Sequence, residues 1–314
     1  MTILNSVLGP LDTADLGFTL MHEHITVSSA GITQSYPELL PSGFMDRIVA
    51  RLTQAKEGGI DTIVDATPHD LGRDVTLMAE VSRRSGVNII ACTGWWLDFP
   101  YYLFGVSADQ FARLFIREIK EGIAGTGIKA GILKSASDIS GVTVAGESVL
   151  RGVARAHLHS NVPIMLHSYS PGQVGRQQIA ILKDEGVNLS RVKVDHSNDT
   201  TDVEYLTWLL EQGCYLGMDR YPGRNTSPLA RTRTLKALID AGYGDRLLLS
   251  HDWSLVWLMS DAPRYPHVVR EQRNPYGYLY IKTLVFPQLR EMGVAEETVN
   301  SLCVDNPRRF FEGV

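Results

Sequence analysis

The sequence predicts an α/β protein folded as a closed (β/α)8 TIM barrel, and three observations carry that expectation. Short apolar, β-branched runs alternate with longer stretches of helical period as far as the C-terminus; eight such runs occur; and no Pro/Ser-rich linker or shift in composition divides the 314 residues. One (β/α)8 domain over residues 1–314 fits this length, because such barrels run to about 250 residues or more. A doubly wound open sheet is the alternative architecture built from the same alternation.

Taken in order, strands are expected at 17–21, 62–66, 88–93, 129–134, 163–167, 191–196, 215–219 and 247–252. Helices are expected at 43–57, 75–85, 108–123, 147–160, 173–185, 202–212 and 229–241, where apolar residues recur at i, i+3, i+4 and i+7. Glycines such as Gly58, Gly86, Gly186 and Gly213 mark helix ends. The stretch 253–275, rich in Pro, Arg and aromatics, reads as a functional loop after strand eight.

Composition removes several classes of function. A chain that is 44% hydrophobic and 21% charged, with 28 Gly and 14 Pro, is neither disordered nor collagen-like nor a disulfide-stapled miniprotein. The net charge of −5 comes from 35 acidic and 30 basic residues spread without blocks, which offers no surface for nucleic acid or anionic lipid. Cys92, Cys214 and Cys303 are far apart and odd in number, so no disulfide framework or zinc knuckle is indicated and a reducing compartment fits. The N-terminus lacks the basic and apolar regions of a signal peptide, and no apolar stretch approaches the roughly 20 residues of a membrane span. A soluble, cytoplasmic protein is expected.

In such a barrel the carboxyl ends of the strands carry the site. Strand one ends in His22-Glu23-His24. Side chains alternate along a strand, so His22 and His24 point one way and Glu23 the other. Two imidazoles on one face can hold a divalent ion, but HxH alone is as readily a surface pair. The other strand ends change the balance: strand four ends with Lys134, strand five with His167, strand six with His196 and strand eight with Asp252. Imidazole and carboxylate suit Zn, Fe, Mn or Co(II), whereas an ammonium has no lone pair for a metal. Addition of CO2 to the Lys134 amine would give a carbamate, an anion able to bridge two ions.

The segments MHEHI, GIKAGILKSAS, NVPIMLHS, VDHSNDTTD and LSHDW occur in this order, and together with the GPLDTADLGFTLMHEH start and the NPRRFF end they make the chain resemble the phosphotriesterase family of the amidohydrolase superfamily. The resemblance implies a (β/α)8 barrel with a binuclear centre of two divalent transition metal ions. It implies that His22 and His24 hold the buried ion, that Lys134 is the carboxylated bridging lysine (N6-carboxylysine), and that His167 and His196 hold the more exposed ion. Asp252 matches the carboxylate that binds the buried ion and takes up the proton, and Asp199 matches one that continues the relay. A hydroxide bridging two ions is then the nucleophile, since metal charge lowers the pKa of bound water by many units. The family also implies a homodimer, and no organic cofactor is needed.

Other residues have blander readings. His157 and His159 on a helix and His267 in the long loop read as surface or packing residues, and His251 faces away from Asp252 along the strand. His69, beside Asp65 and Asp70, is open to a site role. Trp95 and Trp96 follow strand three; Trp96 matches a substrate-facing aromatic of phosphotriesterases. Trp253 and Trp257, with Leu255, Leu258 and Met259, offer an apolar wall for an ester or acyl chain or for loop packing.

Three functions fit: a lactonase opening acyl-homoserine or γ/δ-lactones with side activity on organophosphate triesters, a phosphotriesterase proper, and a barrel that binds small molecules without turnover. The intact ligand set disfavours the last. After strand seven the chain reads MDRYPGRNTSPLARTRTLKAL. Arg220 and Tyr221 in this short loop resemble phosphotriesterase-like lactonases, whose motif there is DRY, whereas Trp96 stands where those lactonases usually have Tyr. Arg220, Tyr221, Trp96 and Trp257 are the expected substrate contacts, and a lactone is the favoured substrate.

Overall fold

A short antiparallel hairpin, β1 (Ile3–Ser6) and β2 (Gly9–Asp12), precedes nine parallel strands in a computed structural model that describes residues 2–40, 42–97, 99–257 and 274–314. The parallel strands are β3 (Thr19–Val27), β4 (Thr62–Asp65), β5 (Asn88–Gly94), β6 (Ile132–Ser137), β7 (Ile164–Ser168), β8 (Val192–Val194), β9 (Tyr215–Met218), β10 (Leu247–Leu249) and β11 (Ser254–Trp257). Their spatial order is β10-β9-β8-β7-β6-β5-β4-β3-β11. β10 and β11 are two halves of the eighth barrel strand: the first pairs with β9, and the second pairs with β3. Between them Asp252 donates its backbone N–H to His22 O at 3.1 Å, and His24 donates to Trp253 O at 2.8 Å. The ring is therefore closed, as a (β/α)8 barrel requires.

Helices follow the strands, and their starts are set by side chains that accept otherwise unpaired N–H groups. Asp74 caps Val75–Ser85, Ser107 forms a capping box with Gln110 at Ala108–Lys120, and Asp202 caps Val203–Glu211. Thr143 accepts from Gly146 N and so starts Val144–Ser160 earlier than the periodicity suggests. Among the described residues no helix is long and apolar enough to cross a membrane. All three cysteines are buried and free.

Alternation along the strands separates two cores. Leu20, Ile63, Ile89, Leu133, Ile164 and Leu247 face the helices, while Met21, Val64, Ile90, Ile132, Met165 and Leu248 fill the barrel interior. Phe310 and Phe311 from the C-terminal helix Asp305–Glu312 join the interior cluster.

Strand boundaries differ from the expected ones where chemistry is concentrated. β3 runs on through MHEHITV, β6 begins later so that Lys134 lies mid-strand, and β8 stops before Asp195 and His196. The eighth strand, expected to run unbroken through Asp252, stops because Asp252 has φ 52, left-handed backbone that an extended strand excludes; the chain then rejoins the sheet as β11, within the stretch expected to be loop. Of that stretch, Leu258, Met259 and His267 lie outside the described residues, as does the side chain of Trp257.

β3 contains one extra residue relative to β4, since Leu20 pairs with Ile63 but Glu23 with Asp65. This bulge reverses the alternation. Leu20 faces outward, and a regular strand would send His22 and His24 outward with it; the added residue turns both inward and sends Glu23 to the other side. There the fully buried Glu23 carboxylate latches the eighth strand. It accepts from Ser250 Oγ (2.7 Å), His251 N (2.9 Å), His251 Nδ1 (2.6 Å) and Trp253 N (2.9 Å). Glu23→Gln keeps the size but loses the charge and part of this acceptor set, and should lower stability by about 2–3 kcal/mol, measured by urea unfolding of the metal-free protein.

Candidate active site

Two groups of potential metal ligands meet at the carboxyl ends of the strands, and His22 belongs to both. One is His22, His24 and Asp252; the other is His22, His196 and Asp219; within each, the ligand atoms lie within 4.8 Å of one another. Asp252 Oδ1 is 3.5 Å from His22 Nε2 and 3.2 Å from His24 Nε2. His167, from the end of β7, faces His196 with Nδ1 2.9 Å from His196 Nε2. Lys134 rises from β6, is almost wholly buried, and donates from Nζ to Ala66 O at 2.6 Å. Its charge is close enough to act on His22, His24 and His167. All six residues expected as ligands thus meet at one end of the barrel.

Each imidazole has one nitrogen fixed from behind and the other turned to the centre. His22 Nδ1 meets Asp195 Oδ2 at 2.9 Å, His24 Nδ1 meets Thr67 Oγ1 at 2.8 Å, and His196 Nδ1 meets Asp219 Oδ1 at 2.9 Å. His167 Nε2 lies 3.3 Å from Asp138 Oδ2. Such partners set the tautomer and aim the free lone pair. Asp195, Asp219, Asp138 and Thr67 were not among the expected site residues. Asp219 closes the expected seventh strand and Asp195 lies within the sixth, so the strand-end rule that found His167 could have found both. Asp138 lies beyond its strand and carries no sequence signal.

Burial and neighbouring charge tune these groups. Burial lowers the pKa of His24, His167 and, further, His196, which favours the neutral ligand form. Burial also lowers Lys134, easing loss of the proton from its amine. For His22 burial is outweighed by the Asp195 carboxylate, and its pKa rises. Burial alone would raise Asp252, but the adjacent Arg220 guanidinium, helped by His24, holds it well below the usual carboxylate range.

Arg220, expected as a substrate contact, clamps two carboxylates. Its Nε donates to Asp252 Oδ2 at 2.9 Å and its Nη1 to Asp199 Oδ2 at 2.6 Å. Asp199 also accepts from the fully buried Arg231 at 2.7 Å. The expected path from Asp252 to Asp199 is not direct: the Arg220 guanidinium, which keeps its protons throughout the working pH range, stands between the two carboxylates. Tyr221 is also corrected: the chain turns it away from Arg220 into the main apolar core, where it is fully buried and burial raises its phenol.

Trp96 is partly exposed, and its ring lies edge-on to His167 with centroids 6.2 Å apart. The Asp70 carboxylate accepts the Trp96 N–H at 3.0 and 3.1 Å, fixing the loop that carries it. Trp95 packs on Phe99, Phe111 and the exposed His69. Trp253 and Leu255 pack against the main core. His157 bonds Val162 O, His159 bonds Lys120, and His251 is held by Glu23, so none of the three joins the ligand groups. Removing Asp199 strands the buried Arg231: Asp199→Ala should cost about 3 kcal/mol of stability in chemical unfolding, whatever it does to turnover.

The model of the Phosphotriesterase family matches residues 2–311. A "Phosphotriesterase homology protein" of Mycobacterium tuberculosis is 40% identical over 331 residues, covering 99% of this chain and 98% of that one. An "Aryldialkylphosphatase" of Saccharolobus solfataricus is 35% identical, covering 96% of each chain. The solved structure of the phosphotriesterase from Mycobacterium tuberculosis superposes with a TM-score of 0.92 at 39% identity, covering 99% of this chain and 98% of that chain. With the barrel, the inward histidines and a whole-length match in agreement, the chain belongs to the phosphotriesterase family.

Proposed function

We propose that this protein is a binuclear-metal hydrolase that opens lactones, of the acyl-homoserine or γ/δ class, and hydrolyses organophosphate triesters as a side activity. The observation that carries the metal reading is the group of His22, His24 and Asp252, whose ligand atoms lie within 4.8 Å of one another, with His167 and His196 facing each other beside it. The donor set fits two divalent ions of the Zn, Co, Fe or Mn kind: imidazoles each held at one nitrogen with the other turned to the centre, and the Asp252 carboxylate. His22, His24 and Asp252 would hold one ion, and His167 and His196 the other. Lys134 would bridge them as a carbamate, formed when its neutral amine adds CO2 and releases a proton.

When bound, the ions would polarise the C=O or P=O of the substrate and make water a nucleophile at neutral pH. The chain's own groups do the rest. Asp252, kept ionised by Arg220, accepts the proton of the attacking water and delivers it to the departing alkoxide. Trp96, beside His167, forms one wall of the substrate pocket. Asp195, Thr67, Asp219 and Asp138 keep the imidazoles from turning.

Two features favour the lactone. The connection from Asp219 to the helix Pro228–Leu238 is short, and Arg220 is committed to Asp252 and Asp199, so neither supplies contacts for three substituents around phosphorus. A lactone needs one polarised carbonyl, and its leaving alkoxide stays attached and requires the proton that Asp252 carries. The second reading, a phosphotriester as principal substrate, is favoured by the name of the Saccharolobus solfataricus relative.

Elemental analysis of the loaded protein should find two divalent ions per chain, and Lys134→Ala should empty or disorder the site, with partial rescue by small carboxylic acids. One ion per chain with an unmodified lysine would refute the bridge. In parallel assays kcat/KM should be higher for an acyl lactone than for an aryl dialkyl phosphate, with activity on both, and Arg220→His should move the ratio towards the phosphate. A wild-type preference of about tenfold or more for the phosphate would make the triester the principal substrate.

A further inference from the structure

Below the ligand groups, the sixth barrel strand carries a charge where its neighbours carry apolar or aromatic side chains. Lys193 of β8 is in register with Met165 of β7 and Tyr215 of β9, both members of the interior cluster. Lys193 is fully buried, and its Nζ donates to Oδ1 of the equally buried Asp195, two residues on and on the same face. The other oxygen of Asp195 is the one 2.9 Å from His22 Nδ1. Asp219 Oδ2 lies 3.4 Å from that same nitrogen. Gly217 makes room for both carboxylates, since a Cβ at this position would collide with Asp195 Oδ1 and Asp219 Oδ2. A buried ammonium is tolerated only with a partner, and adjacent buried carboxylates repel unless a cation offsets them.

We propose that Lys193 and Asp195 form a support built into the barrel interior, with two separable duties. Lys193 supplies the positive charge that lets Asp195 and Asp219 lie side by side before any metal ion arrives. Asp195 fixes His22 so that Nε2 faces the centre. Both are positioning residues acting through His22, and only the second duty rests on the metal reading above.

Full-length K193M, D195N and K193M/D195N proteins, stripped by chelator and reloaded with Zn(II), separate the two duties by thermal unfolding and by Zn(II) competition against a chromophoric chelator. Metal-free K193M should unfold about 5–10 °C below wild type, a loss that narrows on loading because the ions replace the missing charge. The double variant removes both charges and should recover most of the metal-free Tm, yet keep the Zn(II) affinity of D195N, weaker than wild type by at least about tenfold. Additive losses of Tm in the double variant, or, where K193M alone fails to fold, a double variant that unfolds at least about 5 °C below D195N, would reduce Lys193 to packing and overturn the first duty. Zn(II) affinity within about threefold of wild type in both D195N and the double variant would overturn the second. A wild-type chain that binds no Zn(II) removes the metal reading and the second duty with it, while the metal-free comparison still decides the first.

Discussion

One extra residue in the first barrel strand organises the rest of the molecule. The bulge between Leu20 and Glu23 turns His22 and His24 into the barrel and Glu23 out of it. Glu23 then binds the eighth strand through Ser250, His251 and Trp253, and this contact brings Asp252 back to His22 and His24. Closing the barrel and assembling the first ligand group are therefore one structural event. A regular strand at this point would leave the histidines facing the helices, and the latch with no carboxylate.

The interior that results is crowded with charge, and the pattern is one of pairing. Asp252 and Asp199 share Arg220, Asp199 also meets Arg231, and Asp195 meets Lys193. A low-dielectric barrel tolerates these groups only when each has a partner of opposite sign or a hydrogen bond. The histidines are treated differently. Burial keeps His24, His167 and His196 towards the neutral form, with carboxylates or a hydroxyl behind them, which is the state a ligand needs. Charges in the supporting network are locked in pairs, and the lone pairs are left pointing at the centre.

The same pairing bears on what the family scaffold can do here. Arg220 occupies the position from which a titratable side chain could pass protons outward, and it ties Asp252 and Asp199 into a rigid unit. Trp96, held through its backbone by Asp70, lies edge-on to His167.

Much of this was legible in the amino-acid order. Alternating apolar runs and helical periods identify a (β/α)8 barrel, because burial between two layers imposes a period of 2 on strands and about 3.6 on helices. Placing a polar side chain at a strand's expected carboxyl end singles out His167, His196 and Asp252, because a barrel aims those positions at one mouth, and Lys134 as well, although β6 runs three residues beyond it. Other features depended on contacts between residues far apart in the chain. The β3 bulge is defined only against β4, the left-handed backbone at Asp252 only against β3, and the clamp on Arg220 only when strands six to eight stand side by side. Tyr221 follows Arg220 in sequence and yet enters the core, and Asp195 became significant only once Lys193, Asp219 and His22 surrounded it. Local sequence sets which face a side chain can occupy; which carboxylate meets which cation is settled by packing in three dimensions, where the cost of an unpaired buried charge exceeds any local preference.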